Sequence, residues 1–330
     1  HRDRSPYLAQ SAFALDPALL SLEQLRTEGW LGQMAGAGVS TVAGQRALRD
    51  PVLRAAPHLA RDFDAFRSQA DAWLRDYAMF CVIRNSMADK PWWQWPEPLR
   101  DRDETALRQM DAEYGDALEE VAFEQFLLDA QWRRLRAQAR HCGVDLFGDL
   151  PLFVAQDSVD VWANRHLFKL DQCGRPRVVA GVPPDYFSAT GQRWGNPQYD
   201  WEVHRQTGFE WWTRRVAHEI GRFDLLRIDH FRGLDAVWEI PTESETALQG
   251  TWVQVPGGAL LSSLKQRLGP LPLVAEDLGL ISAAVLQLRD EFHLPGMRIL
   301  QFAFDGGAEN PYLPHNLVPD SVVYTGTHDN

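Results

Sequence analysis

The sequence predicts an α/β fold built on a (β/α)8 barrel that carries a helical insertion. Three observations point there. Beyond residue 140, five short apolar runs alternate with stretches of helix length, the pattern of repeated βαβ units. Continuous apolar runs of this kind suit parallel strands buried on both faces. Three of the runs end on a carboxylate, Asp229, Glu276 and Asp329, at nearly equal intervals. In a barrel the C-terminal ends of the strands converge on one face, where active sites lie.

The elements follow in chain order. Residues 1–27 read as a loop and a short apolar piece, with Pro6 and Pro17 as breakers. Ala18–Leu22 is expected to be a barrel strand. Residues 28–140 read as a mainly helical insertion subdomain. Phe63, Phe66, Ala70, Trp73, Leu74 and Tyr77 recur at i, i+3, i+4 spacing. Phe123, Phe126, Leu127, Ala130 and Leu135 repeat that pattern between Val121 and Arg140. Between them lies a proline-pinned loop, Pro91-Trp92-Trp93-Gln94-Trp95-Pro96. It reads either as a packed cap on the helices or as a platform for sugar rings. Residues 1–27 and 141–330 form the expected barrel, with a long active-site loop at about 155–221. The five expected strands fall within Val144–Val154, Phe223–Phe231, Leu271–Asp277, Gly296–Phe304 and Ser321–Asp329.

Composition narrows the function. The 330 residues, 45% hydrophobic and 24% charged, suit a globular chain with one large barrel or two ordinary domains. A formal charge of −12 argues against nucleic acid or an anionic membrane as partner, because phosphate binding needs a positive field. The run Arg133, Arg134, Arg136 reads as one solvated helix face. Cys81, Cys142 and Cys173 stand far apart, which argues against a disulfide scaffold or structural zinc and fits a reducing cytoplasm. No apolar run reaches the length of a membrane span. No metal-binding constellation is seen, and no organic cofactor is expected.

Three carboxylates in one pocket need a reason, since an unpaired buried carboxylate is costly. Glycoside chemistry supplies one. A retaining enzyme uses an ionised carboxylate as nucleophile and a protonated one to donate to the leaving oxygen. A third acid stabilises positive charge on the sugar ring and raises its neighbour's pKa. Each acid taken alone reads as readily as a helix cap or an arginine partner. Arg227 lies two residues before Asp229, so on a strand both side chains share a face.

At these residues the sequence resembles the 4-α-glucanotransferases, or amylomaltases, of the α-amylase clan. Ser5-Pro6-Tyr7 with Ser11-Ala12-Phe13-Ala14 carries the likeness, as does Gly148-Asp149-Leu150-Pro151-Leu152-Phe153-Val154. Val182-Pro183-Pro184-Asp185-Tyr186-Phe187-Ser188 and Gly191-Gln192-Arg193-Trp194-Gly195-Asn196-Pro197 match the family's long loop over the site. Arg227–Gly233, Ala275–Gly279 and Gly326–Asn330 match its three acid-bearing segments. The six pieces stand in family order and cover nearly the whole chain.

The resemblance implies that Asp229 is the nucleophile, Glu276 the general acid/base and Asp329 the transition-state stabiliser. It implies sugar contacts for Arg227, His328, Asp149, Tyr7, Trp194, Asp185 and Asn196. The rival readings are structural: a core ion pair for Arg227, a core histidine for His328, loop fixing for Asp149 and Asp185, packing for Tyr7 and Trp194. Asp277, Asp224, Asp235 and Glu239 read as structural. The implied partners are a maltodextrin or other α-1,4-glucan donor and a glucose or maltodextrin acceptor. An α-amylase-like hydrolase and a non-catalytic glucan-binding barrel are the alternatives. Against the family pattern, the sequence begins at the Ser5-Pro6-Tyr7 loop and stops at Asn330. The expectation is therefore a barrel without its first and last strands.

Overall fold

The computed structural model describes residues 5–31, 47–185, 188–279, 281–304 and 306–327. Its chain divides into two compact units. One comprises His1–Val144, Asp157–Arg165 and Gln172–Arg175, the other Asp145–Gln156, His166–Asp171 and Pro176–Asn330. Residues 5–27 thus group with the helical insertion, whereas the sequence division put them with the barrel.

The first unit is helical. Its described helices are α1 (Leu22–Thr27), α2 (Arg49–Ala55), α3 (Leu59–Ser86), α4 (Glu97–Arg100), α5 (Glu104–His141) and α6 (Val159–Ala163). The periodicity read from the sequence is the packing seam between α3 and α5. Phe63, Phe66, Ala70 and Leu74 meet Phe123, Phe126 and Leu127 in one buried cluster, and the Phe63 and Phe123 rings stand edge to face at 5.1 Å. Leu135, expected on that face, is exposed. Tyr114, with φ −119°, kinks α5 just before Gly115.

Ala18–Leu22 is not a strand. Pro17–Leu19 makes a 3-10 turn and Leu22 opens α1. Local side chains decide this. The Asp16 carboxylate accepts from the Ala18 N–H, and the Ser21 hydroxyl accepts from the Gln24 N–H. Pro17 has no N–H to give a sheet. The backbone groups of Leu15 and Ser21 go instead to side-chain amides of α5. Gln125 and Gln131 each accept the N–H and donate to the carbonyl of the same residue, at 2.8–2.9 Å. The tryptophan loop is a packed cap. Trp92 and Trp95 are buried, the Trp95 Nε1 donates to the Lys90 carbonyl, and its ring packs on Phe80 and Trp162.

The second unit is α/β. Its strands are β1 (Phe147–Leu150), β2 (Val178–Val182), β3 (Gln192–Pro197), β4 (Leu225–Ile228), β5 (Ala236–Pro241), β6 (Thr251–Gln254), β7 (Leu273–Ala275), β8 (Gly296–Ile299) and β9 (Ser321–Tyr324). Helices α7 (Trp201–Gln206), α8 (Glu210–Arg222), α9 (Gly257–Leu268) and α10 (Ala283–Glu291) separate them. Each of the five apolar runs contains a strand, and each strand is shorter than its run. β1, β4 and β7 form a parallel sheet in that order, and β8 pairs β9 in parallel. Leu226, Ile228, Val274, Ala275, Met297 and Ile299 are buried, as strands covered on both faces require.

A second sheet was not read from the sequence. It is antiparallel, in the order β3-β2-β5-β6. Two of its strands fall inside the stretch expected to be a long loop. The segment Gln192-Arg193-Trp194-Gly195-Asn196 has no apolar alternation to announce a strand. Cross-strand partners hold the sheet instead, such as Trp238 opposite Trp252, with rings 5.1 Å apart.

Candidate active site

The parallel sheet brings three of the predicted residues together. In register, Asp149 on β1 stands opposite Arg227 on β4, and Ile228 stands opposite Ala275 on β7. Asp229 and Glu276 are the next residues on their strands, so they leave neighbouring strand ends side by side. The ladder continues through them: the Asp229 N–H donates to the Leu150 carbonyl at 3.0 Å and the Glu276 N–H to the Ile228 carbonyl at 3.1 Å. Adjacent strands lie about 4.8 Å apart, so the two side chains start from neighbouring positions.

Arg227 ties the acids into one network. Its Nη2 lies 2.7 Å from Asp229 Oδ1, and its Nη1 lies 2.8 Å from both oxygens of Asp149. The spacing of two along β4 delivers the Asp229 contact. The register between β1 and β4 delivers the Asp149 one, which no local pattern reveals. Burial works against the Arg227 charge, but Asp229 and then Asp149 outweigh it and raise its pKa. A guanidinium so paired stays charged at any working pH and favours ionised Asp229.

Glu276 is held differently. Its Oε2 accepts from the His230 N–H at 2.8 Å and its Oε1 from the Leu278 N–H at 3.1 Å. Burial, then the charge of Asp229, pushes its pKa up to about 8, against the opposing pull of Arg227 and the two N–H bonds. The two carboxyls at adjacent strand ends thus stand in opposite surroundings. One is paired with a permanent cation and the other keeps its proton at neutral pH.

Trp194 lies on strand β3 rather than in a loop, and its ring packs next to the residue that follows Asp229. Its ring meets His230 edge to face at 4.8 Å and Phe153 at 6.2 Å. The other expected contacts separate. The Asn196 side chain is buried and donates its Nδ2 to the Val154 carbonyl at 3.0 Å. Its amide therefore fixes that backbone. Asp185 accepts the Ser188 N–H at 2.8 Å and donates its own N–H to the Ser188 carbonyl, the loop-fixing geometry of an Asx turn. Tyr7 belongs to the helical unit, half-buried in the turn Pro6–Leu8. His328 and Asp329 lie outside the described residues.

Two tyrosines escaped sequence reading. Burial raises the pKa of Tyr324, which lies within the fields of Arg227 and Asp149. Burial likewise raises that of Tyr312, within the fields of Arg298, Asp277 and Glu276. Tyr324 ends β9 directly before the Thr325-Gly326-Thr327 segment, so its position at a strand end was the available signal. Asp277 is structural, as expected: it is buried, 2.5 Å from Arg289 and 3.4 Å from Arg298, and it accepts the Met297 N–H.

Comparison with known proteins decides the family. The 4-alpha-glucanotransferase family profile matches residues 1–330. This chain belongs to the 4-alpha-glucanotransferase family. It is 46% identical to a 4-alpha-glucanotransferase of Thermus thermophilus, over 99% of this chain and 68% of the relative. A chloroplastic/amyloplastic 4-alpha-glucanotransferase of Oryza sativa subsp. japonica is 42% identical, over 99% of this chain and 58% of the relative. The 4-alpha-glucanotransferase fold extends to a solved amylomaltase from Streptococcus agalactiae in complex with acarbose. The match has a TM-score of 0.92 and 33% identity, and covers 99% of this chain and 69% of the other. The transferase class expected from the sequence is thereby shown, and the mixed α/β class with it.

Proposed function

We propose that this 4-alpha-glucanotransferase moves α-1,4-glucan segments from a maltodextrin donor to a glucose or maltodextrin acceptor by retaining double displacement. The observation that carries the reading is the division of labour between Asp229 and Glu276 at adjacent strand ends. Glu276, protonated, gives its proton to the glycosidic oxygen while Asp229 attacks the anomeric carbon. The C–O bond to the leaving sugar breaks and a β-linked glucosyl ester forms on Asp229. Glu276, now ionised, takes the proton of the acceptor's 4-hydroxyl, which displaces Asp229 and restores the α linkage. Asp329 serves as stabiliser and His328 as a hydroxyl contact. Trp194 offers an aromatic face to sugar and keeps water from the ester. Asp149 orients Arg227, and Tyr7, Asp185 and Asn196 shape the cover or its sugar contacts.

The finer architecture belongs to the same proposal. The parallel strands β1, β4, β7, β8 and β9 are read as consecutive strands of a (β/α)8 barrel. The bond chemistry needs no metal or organic cofactor, and the wide spacing of the cysteines suits a reducing cytoplasm. Among the described residues no helix is long and apolar enough to cross a membrane.

The test is product analysis of maltotriose. Glucose appearing together with maltopentaose and longer oligomers supports transfer. Glucose and maltose alone make the enzyme a hydrolase. Binding of maltodextrin without turnover makes it a glucan-binding barrel.

A further inference from the structure

His230 follows the proposed nucleophile, and neither reading of the sequence gave it a task. Four observations single it out. Its backbone is left-handed, with φ 55° and ψ 48°, a conformation that a side chain with a Cβ adopts at a cost in strain. That twist aims its N–H at Glu276 Oε2, 2.8 Å away. Its ring packs on Trp194 at 4.8 Å and Phe153 at 6.2 Å, and a Cβ on Gly233 would come 2.8 Å from its Cδ2. Finally, its buried Nε2 meets no hydrogen-bond partner among the described residues. The ring packs as a flat wedge against Trp194 and Phe153.

We infer that His230 is a positioning residue: its ring, clamped by Trp194 and Phe153, holds the left-handed backbone whose N–H fixes the Glu276 carboxyl. The inference rests on the reading of Glu276 as general acid/base. It makes Trp194, on the antiparallel sheet, a support for the acid through His230. Burial, then the charge of Arg232, lowers the His230 pKa to about 4, so the ring is neutral at working pH and the wedge carries no charge. Among the described residues, the groups facing Glu276 are Asp229 and Arg227 from the β4 strand end, the N–H groups of His230 and Leu278, and Tyr312 from the segment after β8. Asp149 bonds Arg227.

A hydrogen bond to the ionised carboxylate lowers its pKa, so losing the His230 bond raises it. The experiment follows the Glu276 carboxyl directly, by NMR titration of protein carrying 13C-carboxyl glutamate, with the signal assigned through Glu276→Gln. Rates of maltotriose disproportionation are read in parallel. His230→Ala, which removes the ring and disfavours the left-handed backbone, is expected to raise the midpoint by about half a pH unit or more. It is expected to lower kcat about 10–100-fold with KM changed little. His230→Asn, which tolerates that backbone, is expected to keep the midpoint near the wild-type value and recover most of kcat. Trp194→Ala is expected to move the midpoint the same way as His230→Ala. An unmoved midpoint in His230→Ala and Trp194→Ala overturns the inference, as does a His230→Asn variant as impaired as His230→Ala. If His230→Ala loses its cooperative unfolding transition, the Trp194→Ala midpoint decides alone. A wild type that titrates as described but turns over no maltotriose refutes the proposed function and leaves this test intact.

Discussion

Asp229 and Glu276 occupy equivalent places on neighbouring strands, yet their chemistry is set by different partners. Asp229 has a permanent cation at 2.7 Å, whereas Glu276 has two backbone amides and a burying wall. Asp229→Asn removes the covalent step, and its rate is expected to fall by at least about 10³-fold in maltotriose turnover. Glu276→Gln removes the proton donor and is expected to cost about 10²–10⁴-fold. With Glu276 as the proposed acid, kcat/KM is expected to fall as pH rises through about 8.

The same raised pKa has a sign for stability. In the unfolded chain a glutamate ionises at about 4.3. In the folded protein it keeps its proton up to about 8. Between those values the unfolded state sheds a proton that the folded state retains, so this group's contribution to stability falls as pH rises, and it is most unfavourable above pH 8. Glu276→Gln has no such charge to bury. Its thermal midpoint is expected to exceed that of the wild type by several degrees at pH 9, with the gain shrinking toward pH 5. A gain that is equal at both pH values, or largest at pH 5, contradicts the burial argument. The residue that limits stability here is one that the chemistry requires.

At the scale of elements, the strands were legible where their apolar runs were continuous, and the wrong strand shows why. Ala18–Leu22 has strand composition, but its flanks carry Asp16, Pro17 and Ser21, whose short-range bonds favour turn and helix. Gln125 and Gln131 of α5 then take the backbone groups that a sheet would have used. Gln131→Leu is expected to destabilise the protein by about 1–3 kcal/mol, because it strands the Ser21 N–H and carbonyl. Urea unfolding measures it, and a loss below about 0.5 kcal/mol means that water replaces the amide there. The strand β3 was missed because Gln192, Arg193, Gly195 and Asn196 leave no apolar alternation to read. Trp194→Ala is expected to raise the share of hydrolysis over transfer by several-fold in the maltotriose product ratio. An unchanged ratio makes Trp194 a support for His230 alone.

For the whole molecule, a formal charge of −12 sets what it meets in solution. At physiological salt, neither duplex DNA nor anionic vesicles are expected to bind more tightly than about 10⁻⁴ M, the weak end of non-specific binding. Micromolar retention on either in a sedimentation assay contradicts this. The neutral glucans proposed as substrates need no such field.

By itself the sequence determined the five parallel strands, the two long helices of the insertion, the acids that follow β4 and β7, and the family. These are short-range facts: apolar runs, helical periodicity, and motifs whose residues sit within a few positions of one another. Only the tertiary structure decided which groups meet. Asp149 pairs with Arg227, 78 residues away, because β1 and β4 align in one register. Glu276 keeps its proton because folding buries it beside Asp229. His230 found its place through a left-handed turn and a ring from a sheet that no local pattern announced. Register, burial and ring contacts depend on distances between segments far apart in the chain, and a linear pattern carries no distances.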